Sequence, residues 1–244
     1  MNKVEIYNSE EILAEETAKQ FQEILKQSLI TDNNFFAALS GGNTPKILFK
    51  KLAGSPYKGK IDWNRIHFFW ADERMVPPDD PESNYGEAKK ILFDNIPIPA
   101  GNIHRIKSED DPHREVLRYA QEIEKYIKKD QKGFPRFNLI FLGIGEDGHT
   151  ASLFPGKKLH LKDEKNICGI AEHPLNGQKR ISLTKETINN AEKIIFLVMG
   201  GLKAGILASI IKNSPESLNL PSAQIIPVNG NLKWIIDKEA SKFL

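Results

Sequence analysis

A single cysteine, Cys168, is all the thiol that 244 residues carry, so neither an internal disulfide nor a cysteine-rich metal cluster can form. Charge of one sign is equally scarce. Lys and Arg number 34 against 32 Asp and Glu, and the resulting +2 offers no basic field for a polyanion, which argues against nucleic acid as a partner. No apolar run approaches the roughly 20 residues of a membrane span. The chain opens on acidic residues (Glu5, Glu10, Glu11, Glu15, Glu16), unlike a secretory signal. Mean hydropathy is −0.41. A cytoplasmic chain with no membrane partner is expected, with Cys168 a buried thiol in the strand-like run Ile167-Cys168-Gly169-Ile170-Ala171. Repeats, low-complexity tracts and long linkers are lacking too.

What is present is an alternation of short apolar runs with longer amphipathic stretches, the pattern of βαβ units around a mostly parallel sheet. Strands are expected near 4–7, 35–40, 65–71, 137–143, 167–171, 180–184, 193–199, 223–227 and 233–237, and helices near 10–29, 45–52, 84–93, 112–128 and 202–212. The Pro- and acid-rich stretch 76–83 suits an ordered surface loop better than a boundary, so 1–244 reads as one α/β domain.

In such a sheet the ligand crevice lies beyond the carboxyl ends of the strands. At the first junction, Ser40-Gly41-Gly42-Asn43-Thr44-Pro45, a strand stops in small residues and restarts as a helix. Glycines let backbone approach an anion, and free N–H groups at a helix start attract it; a helix cap without ligand is the plain alternative. The second places Asp72-Glu73-Arg74 directly after an apolar strand, either a surface ion-pair cluster or an arginine fork for phosphate beside carboxylates for hydroxyls. The third, Gly143-Ile144-Gly145-Glu146-Asp147-Gly148-His149, imitates a dinucleotide fingerprint, but Pro155 and Gly156 interrupt too early for the long helix that motif opens. His149 on this turn is a candidate general base. The remaining histidines, among them His104 and His173, read as surface or structural, and His67 as core. The fourth junction, Gly200-Gly201-Leu202-Lys203, sets a lysine where the helix dipole disfavours one unless an anion is near. Arg180 heads another strand. No histidine or cysteine pair has metal-ligand spacing. Together these residues describe a site for a small anionic substrate, such as a phosphate ester, with acid–base chemistry.

These motifs, with Glu82-Ser83-Asn84-Tyr85, Thr150-Ala151-Ser152-Leu153-Phe154-Pro155-Gly156 and Arg180-Ile181-Ser182-Leu183-Thr184, resemble the 6-phosphogluconolactonase family of the glucosamine-6-phosphate isomerase/6-phosphogluconolactonase superfamily nearly end to end. The resemblance implies a three-layer, mostly parallel Rossmann-like sheet flanked by helices (NagB/RpiA/CoA transferase-like). It also implies a carboxylic ester hydrolase of the oxidative pentose phosphate pathway that opens 6-phospho-D-glucono-1,5-lactone without metal or organic cofactor, as a monomer or small homo-oligomer. On that reading His149 is the base, with Asp147 to orient it. Arg74, Arg180, Lys203 and the loop Ser40, Gly41, Gly42, Asn43, Thr44 hold the phosphate, Gly145 belongs to the substrate turn, and Asp72 and Glu73 face the sugar hydroxyls or fix Arg74. The sister deaminases carry Tyr where this chain has Arg74, and a catalytic Glu where it has Phe154, which cannot move a proton. A sugar-phosphate sensor attached to a DNA-binding helix-turn-helix is disfavoured, since the first strand is expected at once near Val4.

Overall fold

The computed structural model describes residues 3–161 and 166–244. Strand β1 (Lys3–Tyr7) leads into α1 (Glu10–Thr31), whose N-terminus is capped by the Ser9 hydroxyl accepting from Ile12 N–H and is favoured by Glu10 and Glu11 in the first turn. Leu13, Ala14, Thr17, Ala18, Phe21 and Leu25 bury one stripe of α1. There follow β2 (Phe35–Leu39), α2 (Asn43–Ala53), α3 (Tyr57–Lys60), β3 (Ile66–Trp70), β4 (Asp72–Arg74), α4 (Asn84–Ile91), α5 (Pro112–Tyr126) and β5 (Leu139–Leu142). The chain ends through β6 (Cys168–Glu172), β7 (Lys179–Leu183), α6 (Lys185–Asn189), β8 (Ile194–Val198), α7 (Ala204–Ile211) and β9 (Leu232–Asp237).

Six strands form one parallel sheet in the order β1-β9-β8-β5-β2-β3. Its inner strands β5 and β8 are buried throughout, as a sheet covered on both faces requires, and their sequences LIFL and IIFLV accordingly do not alternate. From β2 the chain moves outward to β3, while β5 returns on the other side of β2, so the switch in strand order falls between β2 and β5.

A second sheet, antiparallel and ordered β4-β7-β6, is absent from the sequence reading. The run expected as 65–71 does form β3, but at its end the chain changes sheets. Ala71 N–H still donates to Leu39 O of the large sheet, while Leu183 N–H of the small sheet donates to Ala71 O. The Tyr119 hydroxyl fastens this corner, accepting from Trp70 N–H at 2.7 Å and donating to Trp70 O at 2.8 Å. The expected strand 223–227 is not formed. Its N–H groups are taken locally, Ala223 by Leu220 O and Ile225 by Ser222 O, and then by Asn189, which receives Ile226 N–H on its side chain and Val228 N–H on its carbonyl. Cys168 is buried, its thiol donates to Val116 O, and burial pushes it up to about 12. Among the described residues no helix is long and apolar enough to cross a membrane.

Under β3 lies a buried polar chain, Glu122–His104–His67, with His104 Nδ1 2.8 Å from Glu122 Oε1 and His104 Nε2 2.9 Å from His67 Nδ1. Burial, helped by the neighbouring His104, lowers His67 to about 4; His104 is lowered by burial against the pull of Glu122. The unfolded chain binds protons here that the folded chain refuses, so this stability is complete above about pH 6.5 and is lost as pH falls towards 4. The urea midpoint of the wild type relative to His67→Phe is expected to rise with pH across that window, by an amount on the order of 2 kcal/mol, the other titrating groups contributing equally to both proteins. An equal slope in the variant would overturn the assignment.

Candidate active site

The carboxyl ends of β2 and β5 open into a cavity of about 530 Å³. Ser40 ties the two strands together at this point by donating from Oγ to Phe141 O at 2.8 Å. Gly41 follows, and a Cβ there would lie 1.8 Å from Asn84 Oδ1, so the loop and α4 meet only because position 41 has no side chain. Gly42 has φ +98° and precedes α2, whose start has no side-chain cap. Ser40, Gly41, Gly42, Asn43 and Thr44 all line the cavity, with uncapped helical N–H groups at its floor.

The wall from β4 divides in an unexpected way. Asp72 lines the cavity, is 4% exposed, and takes the Ser152 hydroxyl on Oδ2 at 2.7 Å. Glu73, placed by sequence against substrate or fixing Arg74, does not line the cavity and is fully buried. Strand alternation turns it to the opposite face, where Oε1 accepts the N–H groups of Arg74 and Asn84 and Oε2 accepts Tyr85 N–H and the Ser83 hydroxyl. Burial raises its carboxyl to about 7 against the pull of those three N–H groups. Glu73 therefore holds the main chain at Arg74 and the start of α4. Arg74 lines the cavity, gives one Nη hydrogen to Glu82 O at 2.8 Å, and keeps its buried Nε–H without a protein partner.

After β5 the chain makes a tight turn and no helix, in keeping with the rejected dinucleotide fingerprint. Gly148 closes the turn with φ +82°, and its N–H donates to Gly145 O. His149 Nδ1 lies 2.6 Å from Asp147 Oδ1, which also accepts the His149 main-chain N–H at 3.1 Å. Burial raises the Asp147 carboxyl, but these bonds and the imidazole outweigh it and leave the group below the ordinary aspartate range. A Cβ on Gly145 would stand 2.1 Å from His149 Nδ1 and 2.7 Å from Asp147 Oδ1, so the missing side chain makes room for the pair. The His149 ring rests on Phe154 with centroids 5.1 Å apart, and the Arg180 guanidinium lies 5.6 Å from the same ring.

Two more cations face this pair. Arg180 is 7% exposed; burial lowers it, with Asp72 opposing. Lys203 sits on a single helical turn before α7, half-buried and lowered by desolvation, with no ion pair among the described residues. Unpaired buried cations around one cavity are costly unless an anion completes them.

The family described as glucosamine-6-phosphate isomerases/6-phosphogluconolactonase matches residues 8–234. The chain belongs to that family. It is 50% identical over 207 residues to the 6-phosphogluconolactonase of Haemophilus influenzae, covering 85% of this chain and 86% of that one. The crystal structure of the devB protein is 41% identical, with a TM-score of 0.90 over 99% of both chains. A monomeric glucosamine-6-phosphate deaminase superposes with a TM-score of 0.81 over 99% of this chain and 100% of its own at 19% identity, a likeness of fold alone.

Within this family fold, the site contains residues that the sequence reading passed over. His173, read as surface or structural, lines the cavity from the turn after β6 and packs edge-on against Phe154 at 5.2 Å. Asn84 lines it by donating its side-chain amide to Asp72 O at 2.9 Å, and Glu146 lies beside Lys203. The pairing of Asn84 with the Gly41 loop had a sequence signal in the absent side chain of Gly41; His173 had none, because its turn follows a strand of the second sheet.

Proposed function

We propose that this chain hydrolyses 6-phospho-D-glucono-1,5-lactone to 6-phosphogluconate, with His149 as general base. The observation that carries the reading is the Asp147–His149 pair in a cavity walled by Arg74, Arg180 and Lys203, with Phe154 packed on the imidazole. Asp147 at Nδ1 selects the tautomer with its proton on Nδ1, so the Nε2 lone pair is free to accept a proton from water. The hydroxide formed attacks the C1 carbonyl, and the oxyanion takes hydrogen bonds from N–H groups of the glycine turns. Collapse of the tetrahedral intermediate breaks the bond from C1 to the ring oxygen, and the imidazolium returns its proton there. The 6-phosphate is held by Arg74, Arg180, Lys203 and the Ser40–Thr44 loop, while Asp72 orients sugar hydroxyls. No step changes an oxidation state, and none calls on a cofactor.

The sister deaminases carry a catalytic Glu where this chain has Phe154, and a phenylalanine cannot move a proton. The test is lactone generated freshly from glucose 6-phosphate, its disappearance followed with and without protein, beside ammonia release from glucosamine 6-phosphate. Hydrolysis above the spontaneous rate, with no ammonia, is expected; ammonia without lactone hydrolysis would overturn the proposal.

A further inference from the structure

The register of the small sheet creates an electrostatic problem at the cavity wall. Arg74 of β4 stands directly opposite Arg180 of β7, and like charges facing each other across antiparallel strands repel. Arg74 accordingly contributes to the lowering of Arg180. Gln178, two residues before Arg180, lies outside the cavity and links Arg180 to Glu82. Its Oε1 accepts Arg180 Nε–H at 3.3 Å, and its Nε2 donates to Glu82 Oε2 at 2.9 Å. The carbonyl of the same Glu82 accepts one Nη hydrogen of Arg74 at 2.8 Å. One side-chain bridge therefore joins the 76–83 loop to the base of the β6–β7 turn and holds Arg180 at Nε, while the main chain of the same Glu82 holds Arg74 at one Nη.

We infer that Gln178 is a positioning residue for the anion site: with Glu82 it aims the free donors of Arg180 and Arg74 at the substrate phosphate. A fork of guanidinium donors binds phosphate well only when its plane is set beforehand, since a swinging side chain spends binding energy on its own ordering. The 173–178 turn, which brings His173 to the cavity, is held separately by main-chain groups that Gln178→Ala retains: Gln178 O accepts His173 N–H, and Gln178 N–H is held by Asn176 Oδ1.

The inference builds on the proposed lactone hydrolysis, and its test separates the two. Gln178→Ala is expected to raise KM for the phospholactone, and the inhibition constant of 6-phosphogluconate with it, about tenfold, with kcat within about twofold of wild type. The exchanged pair Gln178→Glu with Glu82→Gln rebuilds the bridge at unchanged net charge, because the new carboxylate accepts from both Arg180 and the new amide; it is expected to return KM to near wild type. A KM unmoved by Gln178→Ala, a fall in kcat alone, or an exchanged pair no better than the single variant would each overturn the inference while leaving the hydrolysis reading intact. Should the wild-type protein not hasten the lactone, that reading falls, and calorimetry with inorganic phosphate on the same variants still decides the role of Gln178: a wild-type affinity in Gln178→Ala overturns it, and a loss restored by the exchange sustains it.

Discussion

The His149→Ala variant is expected to lose about 10²- to 10⁴-fold in kcat for lactone hydrolysis, after subtraction of the spontaneous rate, with KM little changed. The imidazole is the group in the cavity whose Nε2 is left with a lone pair by a fixed partner, and Asp147 at 2.6 Å supplies that partner. On the proposed mechanism, removing the ring removes the proton acceptor for water and the proton donor to the leaving oxygen, both of which act in the transition state and neither of which grips the phosphate. Asp147→Asn is expected to lose kcat as well, because an amide that turns its NH2 to Nδ1 holds the tautomer with the proton on Nε2 and no longer stabilises the imidazolium. Circular dichroism must show both variants folded. A background-corrected rate for His149→Ala within threefold of wild type, on the scale of general-base losses, would remove the histidine from the mechanism.

Glu73→Gln is expected to cost about 3 kcal/mol of stability, a large effect for exchanging one oxygen for an NH2 group. Both carboxyl oxygens are occupied by donors, Oε1 by Arg74 and Asn84 N–H and Oε2 by Tyr85 N–H and the Ser83 hydroxyl. Whichever way the glutamine amide is turned, its NH2 meets at least one main-chain N–H, in a place closed to water. The start of α4 and the β4 backbone then separate, and with them Asn84 and Arg74 leave their places in the cavity wall, so KM is expected to rise as well. Urea denaturation at a pH well above 7, where the buried carboxyl is ionised, measures the first effect. An unchanged midpoint would mean that position 73 holds a neutral acid and that the N–H groups have another arrangement.

The two effects differ in kind, and the difference reflects what could be read from residues alone. His149 was singled out because a titratable side chain on a glycine turn after a strand has little use as packing, and the structure sets it in the cavity wall against Asp147. Glu73 stands in an equally conspicuous trio, and there the alternative of facing the sugar hydroxyls fails while that of fixing Arg74 is met through its main-chain N–H. Asp72, Glu73 and Arg74 look like three site residues in a row, but a strand sends alternate side chains to opposite faces, and β4 was not foreseen as a strand. Lys203 was singled out by its conflict with a helix dipole, and the structure adds a stronger reason, a half-buried ammonium with no ion pair among the described residues.

By itself the sequence determined the parallel sheet, the positions of β1, β2, β3, β5, β8 and β9, and the glycine-rich junctions after them. Local signals suffice there: apolar runs of strand length, helix stripes and turn residues each act within a few residues of chain. Only the tertiary structure decided that β4, β6 and β7 form a second, antiparallel sheet over the mouth of the first, that 223–227 is taken up by turns and Asn189, and that His173 and Asn84 reach the cavity while Glu73 does not. Those outcomes depend on strand partners and hydrogen bonds between residues far apart in the chain, whose register follows from how the whole core closes rather than from any run of residues within it.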